Sequence, residues 1–183
     1  MEKLRQPTSL NCFACGRNNP FGLHLEWFND DEKQQVETTF TLGDNYCSYP
    51  GTVHGGIIAT ILDETSGRAV LLNNQFNNLM VTLKMEIVYK QNTPTHTPLR
   101  AVGRLIKGGT SRAQVEGEII LPDGTVSAKC TSILFKIPQA VKDKWGSEAE
   151  EWERTTPKVN QQPSACKCGC THNTQPADTP TNK

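Results

Sequence analysis

The tripeptide His54-Gly55-Gly56 and the carboxylate of Asp63, nine residues after the histidine, are the groups in this sequence best spaced to do chemistry. Two adjacent glycines at a helix start let a ligand reach the backbone and leave N–H groups free at the positive end of the helix dipole. Such a terminus can polarise a carbonyl or hold an oxyanion. The same glycine pair also serves a tight turn, and a histidine there can cap or pack. Glu64 supplies a second, weaker carboxylate candidate. The seven cysteines form a third set: Cys12 and Cys15, the isolated Cys47 and Cys130, and Cys166, Cys168 and Cys170. An odd count in two tight groups reads as thiol or metal chemistry, not a disulfide framework. Cys12 and Cys15 have the spacing of half a zinc site, which Cys166, Cys168, Cys170 and His172 are able to complete. Zinc and copper(I) are the ions such thiolates suit.

The elements that must position these groups follow from periodicity. Leu23, Leu25 and Trp27 alternate with polar neighbours, as do Val36, Thr38 and Phe40, predicting two strands joined by the Asn-Asp-Asp-Glu-Lys loop. Residues 54–74 have helix length and end on an Asn pair. At about 100° per residue, Ile57, Ile58, Ile61, Leu62, Ala69 and Leu72 form a stripe facing a sheet. On the opposite side the small residues Ala59, Thr60, Ser66, Gly67 and Val70 surround Asp63, where charged residues are usual, so something must approach closely there. Four further strands are predicted at about 80–91, 98–107, 111–121 and 125–137. Two strands, one helix and four strands without a βαβ alternation predict an α+β fold, one curved antiparallel sheet around one helix.

Length and composition bound the rest. The 183 residues predict one domain plus tails. Nineteen Lys and Arg balance nineteen Asp and Glu, which removes the footprint of a binder of nucleic acid or anionic membrane. No signal-peptide or membrane-spanning stretch is found, predicting a soluble cytoplasmic protein. The organisation expected is an irregular segment with Cys-x-x-Cys at 1–22, a domain at 23–137, a short amphipathic helix at 138–154 built on Val141, Trp145, Ala149 and Trp152, and a flexible cysteine-containing tail at 155–183.

The segment HGGIIATILDETSG, with YPGTV before it and VTLKMEIVY after it, resembles the hotdog-fold acyl-CoA thioesterases of the PaaI type, in the 4-hydroxybenzoyl-CoA thioesterase superfamily. The opening CFACGRNNPFGLHLEW is similar to one branch of that group, and the resemblance spans about residues 12–137. It implies a hotdog fold, a homodimer or dimer of dimers paired edge to edge, and active sites at the subunit interface. In that arrangement the N–H groups of Gly55 and Gly56 polarise the thioester carbonyl. Asp63 from the other subunit acts as nucleophile or general base toward water, Thr82 orients that water, and His54 shapes the oxyanion end. Ser48 stands where many members carry Asn or Gln, a shorter donor for the same carbonyl, and Glu64 leaves an exchange of roles with Asp63 open. For the CoA part of the substrate the candidate cations are Lys84, Lys90, Lys107 and Arg112, the last two beside Gly108-Gly109 and preferred. The acyl group is aromatic or of short to medium length, and catalysis needs no metal or other cofactor. Two other functions fit: a hotdog protein that binds acyl-CoA or an acyl carrier without turnover, and a metal- or redox-responsive module acting through the cysteine-rich tail.

Overall fold

The computed structural model describes residues 3–158. Its elements are β1 (Phe28–Asp30), β2 (Gln35–Phe40), β3 (Cys47–Tyr49), β4 (Thr52–Val53), α1 (Gly55–Gly67), β5 (Met80–Tyr89), β6 (Leu99–Gly108), β7 (Arg112–Ile120), β8 (Val126–Lys136), α2 (Gln139–Lys142) and α3 (Ser147–Thr155). Six strands form one antiparallel sheet in the order β1-β2-β6-β7-β8-β5, and β3 and β4 make a separate small ribbon. The α+β expectation of one sheet around one helix is met. In β7, Ala113, Val115, Gly117 and Ile119 are buried while Gln114, Glu116 and Glu118 face outward, the period-2 pattern of a sheet with one covered face.

That covered face receives α1 through Ile58, Ile61, Leu62, Thr65 and Ser66. The helix lies close because the cross-strand pair Gly103 and Gly117 presents no side chain beneath it. A Cβ on Gly103 would sit 2.2 Å from the Thr65 carbonyl oxygen. The indole Nε1 of the fully buried Trp27 donates to Thr65 Oγ1 at 3.0 Å, and the Ser66 and Ser132 hydroxyls lie 3.4 Å apart. Ser66 does not border an open side around Asp63, contrary to the helical-wheel expectation. It is buried, because the sheet curls around more of the helix than a flat sheet would cover, whereas Val70, although largely buried, lines the space beside Asp63.

Several boundaries differ from expectation. The helix expected over 54–74 ends at Gly67 and tightens into a 3₁₀ turn at Arg68–Leu71. Asn73 and Asn74 then adopt left-handed backbone angles, which a helix cannot continue. Residues 23–27 form no ladder, with His24 in a left-handed conformation (φ 50°), and strand pairing begins only at Phe28. The single amphipathic helix expected at 138–154 is two short helices separated at Gly146, whose φ of 51° requires glycine. It docks by polar groups as much as apolar ones: Glu148 accepts from the Leu10 and Asn11 N–H groups at 2.8 and 2.9 Å, while Val141 and Ala149 stay exposed. The backbone N–H groups of the N-terminal segment need acceptors, and the acidic face of α3 provides them. Residues 3–27 thus lie against the domain and α3, with Gln6 N–H donating to Trp27 O and Arg17 paired with Glu151.

Candidate functional site

His54 is the N-cap of α1, with an extended backbone (φ −61°, ψ 133°) that turns the chain into the helix. Its Nδ1 accepts the Gly56 N–H at 2.9 Å, and its carbonyl accepts from Ile57 and Ile58. Of the two glycine donors expected at the carbonyl, Gly56 is therefore occupied within the chain. Among the described residues the Gly55 N–H has no acceptor, so it is the donor left for a ligand. Tyr89, at the end of β5, donates its hydroxyl to the Gly55 carbonyl at 2.9 Å and lays its ring 3.7 Å from where a Gly55 Cβ would stand. Sequence reasoning passed over Tyr89, which is 34 residues from Gly55 and reads only as the last apolar residue of a strand.

Asp63 lies eight residues along α1 from Gly55, half-buried, and accepts a hydrogen bond from Thr82 Oγ1 at 2.7 Å. A β-bulge makes this contact. The pairing of β5 with β8 slips between Thr82 and Lys84, with Leu83 the extra residue. The slip changes which parity faces the helix, so that Met80 and Thr82 face it before the bulge and Met85 and Ile87 after it. A cavity of about 280 Å³ opens beside the pair, lined by Asp63, Val70, Leu79, Val81, Thr82 and Trp152 among others. Glu64 also touches this cavity, but its Oε1 accepts from Nε of the buried Arg68 at 2.8 Å, and Arg68 is stacked 4.4 Å from the Trp27 ring centroid. Adjacent in sequence, the two carboxylates are therefore in different states: Asp63 held by a neutral donor at a cavity mouth, Glu64 neutralised by an arginine.

A helix rises about 1.5 Å per residue, so the Gly55 N–H and Asp63 stand about 12 Å apart along one α1. One chain cannot direct both at a single carbonyl. Among the described residues the strand that carries Thr82 is an edge of the sheet, paired with β8 alone, and it exposes apolar side chains, Val81 at 48% and Leu83 at 67% with Val88 and Tyr89 half in solvent, beside the charged pair Lys84 and Glu86. Ser48 is exposed on β3 at the register shift between Cys47 and Tyr49. Lys107 and Arg112 line one cavity of about 440 Å³ together with Gly108 and Gly109, and the Arg112 guanidinium lies 5.4 Å from the Phe135 ring centroid. Lys84 pairs with Glu86 at 3.8 Å, and Lys90 is exposed at the strand end; neither borders that cavity.

Cys12 and Cys15 come together as the spacing suggests. The Cys12 thiol's hydrogen bond to its neighbour pulls Cys15 down to about 6, with Arg68 adding to the effect, and pushes Cys12 well above the ordinary thiol range. Cys130 is a core residue whose thiol is pushed up by burial. Cys166, Cys168, Cys170 and His172 lie outside the described residues.

Residues 50–128 match the family model of the thioesterase superfamily. With six antiparallel strands around α1, the architecture is decided. The fold is the hotdog fold of the thioesterase superfamily. The chain is similar to a thioesterase superfamily protein of known crystal structure, with a TM-score of 0.61 and 26% identity over 69% of this chain, and it spans 60% of that protein's length. A Streptococcus mutans UA159 protein crystallised with acetyl-CoA is 28% identical over 57% of this chain and 82% of that one, with a TM-score of 0.51. The Escherichia coli PaaI protein from the phenylacetic acid degradation operon shares the hotdog fold at 16% identity and a TM-score of 0.55, over 63% of this chain and 81% of that one. No curated protein matches the sequence. The Cys-x-x-Cys segment, α2 and α3 lie outside the matched stretch, and among the described residues no helix is long and apolar enough to cross a membrane.

Proposed function

We propose that this protein is an acyl-CoA thioesterase of the PaaI type, hydrolysing an aromatic or short- to medium-chain acyl-CoA to the free acid and CoA. The observation that carries the reading is the Asp63–Thr82 hydrogen bond at a cavity mouth on the open sheet edge. Thr82 donates to Oδ1, which leaves Oδ2 to attack the thioester carbonyl or to take a proton from water. The Gly55 N–H of a second subunit stabilises the negative charge that develops on the carbonyl oxygen, at the positive end of α1. Edge-to-edge pairing through β5 brings the two halves together, as a homodimer or a dimer of such dimers, and covers Val81 and Leu83. Lys107 and Arg112 hold phosphate groups of CoA on the outer face, and Ser48 is a further donor near the carbonyl. Binding of acetyl-CoA by the S. mutans relative supports CoA as part of the ligand.

The test is release of free thiol from aromatic, short-chain and medium-chain acyl-CoAs by the wild type and by Asp63→Asn. Turnover that falls by about 10²–10⁴ in kcat in the variant, with KM little changed, supports the reading. A wild type that binds acyl-CoA without turning over any member of the panel overturns it.

A further inference from the structure

Three ligand atoms of metal-binding type converge beside α1: Cys12 Sγ, Cys15 Sγ and a Glu64 carboxylate oxygen, all within 4.8 Å of one another. A tetrahedral zinc ion, with Zn–S near 2.3 Å and Zn–O near 2.1 Å, sets such ligands about 3.5–3.8 Å apart, within reach of small side-chain rotations. The turn that presents the thiols is rigid. Gly16 N–H closes it onto the Cys12 carbonyl at 2.7 Å, and a Cβ at Gly16 would lie 2.4 Å from that same oxygen. The Leu23 and Leu25 N–H groups then pin the residues between the cysteines to the chain that follows, through Phe13 O and Ala14 O. The third group comes from a different element, the catalytic helix, and is oriented by its bond from Arg68 Nε at 2.8 Å, as outer-sphere donors orient ligating carboxylates. Charge also balances: two thiolates and a carboxylate around a divalent cation leave one negative charge, which the buried Arg68 cancels.

We propose that Cys12, Cys15 and Glu64 form a binding site for a single zinc-class divalent cation, with the fourth tetrahedral position open to water. The ion fastens the N-terminal segment to α1 at the residue next to Asp63. It is a structural fastener and takes no part in thioester hydrolysis. Glu64 thereby gains a role distinct from that of Asp63, and the tail cysteines are not required.

The experiment uses the full chain, with metal analysis after zinc reconstitution and desalting, then Co(II) replacement. One ion per chain is expected, together with tetrahedral cobalt bands and a thiolate-to-cobalt charge-transfer intensity corresponding to two thiolates. Cys12→Ser combined with Cys15→Ser loses ion and charge transfer, Glu64→Gln weakens metal affinity by about tenfold or more, and Cys166→Ser with Cys168→Ser and Cys170→Ser retains the ion. A wild type that holds no metal, a tail variant that loses it, a cobalt spectrum of three or four thiolates, or a Glu64→Gln variant of unchanged affinity each overturns the proposal. The cobalt spectrum and the tail variant decide the matter even where the Cys12/Cys15 variant fails to fold, and none of these readouts depends on thioesterase activity.

Discussion

At the scale of single residues, Thr82 determines which oxygen of Asp63 is free, and His54 determines which glycine N–H is free. Thr82→Val keeps the shape of the side chain and removes the donor to Oδ1. A hydrogen bond to a carboxylate is worth about 1.5–3 kcal/mol, so kcat on the best acyl-CoA should fall roughly 10- to 100-fold with the fold retained, measured by thiol release and circular dichroism. Unchanged kcat would mean that the hydroxyl does not position Asp63. His54→Ala removes the side-chain acceptor of Gly56 N–H. It should cost about 1 kcal/mol in urea denaturation, the usual worth of an N-cap. The sequence showed His54, Gly55, Gly56 and Asp63 at once, because their types and spacing lie in one continuous stretch. It was silent on Tyr89 and on the capture of Gly56 by His54, which depend on how a strand end and a side chain are turned in space.

At the scale of elements, the close seating of α1 on the sheet rests on small groups. Gly103→Ala drives a Cβ into the Thr65 carbonyl, which is helix backbone and cannot swing aside. A loss of about 1–3 kcal/mol in chemical denaturation is expected, the cost of overpacking a core. Docking of α3 has a polar counterpart: Glu148→Ala leaves the Leu10 and Asn11 N–H groups without their acceptor. That change should cost about 1–3 kcal/mol and raise proteolysis within the N-terminal segment. The four long strands were legible to within a residue or two from alternation and from the Asn-Thr-Pro, Gly-Gly and Pro-Asp-Gly breakers between them. The β5 bulge was not legible, since the alternation of Val-Thr-Leu-Lys-Met-Glu-Ile-Val-Tyr continues through it. The two-part C-terminal segment was missed because apolar spacing was read across Gly146.

At the scale of the whole molecule, the separation of about 12 Å between Gly55 and Asp63 along one helix is the reason the active site is proposed to draw on two chains. Gly55→Pro deletes the N–H while leaving the helix intact, since proline is welcome at the first helical position and His54 already has the extended backbone that precedes proline. Gly55→Pro and Asp63→Asn should each be nearly inactive. Mixed and re-equilibrated, they should recover about a quarter of wild-type activity, because half the dimers are mixed and each holds one intact site. Recovery would fail if both groups acted within one chain. Leu83→Glu sets like charges facing each other across a self-paired β5 edge. Sedimentation should then report monomers, and thiol release should fall with the dimer.

What the sequence by itself determined is local: the glycine pair and histidine at the helix start, the carboxylate one face along, the alternation of β2 and β5–β8, and the Cys-x-x-Cys turn that requires Gly16. Each depends on residue type and near spacing, which the chain carries without folding. Only the tertiary structure decided that Asp63 meets Thr82 through a bulge, that Glu64 turns instead to Arg68 and the two cysteines, that Ser66 is core, and that β5 is an edge strand exposing Val81 and Leu83. Those outcomes depend on the curl of the sheet, the depth at which α1 seats on Gly103 and Gly117, and contacts between residues tens of positions apart, none of which leaves a local pattern to read.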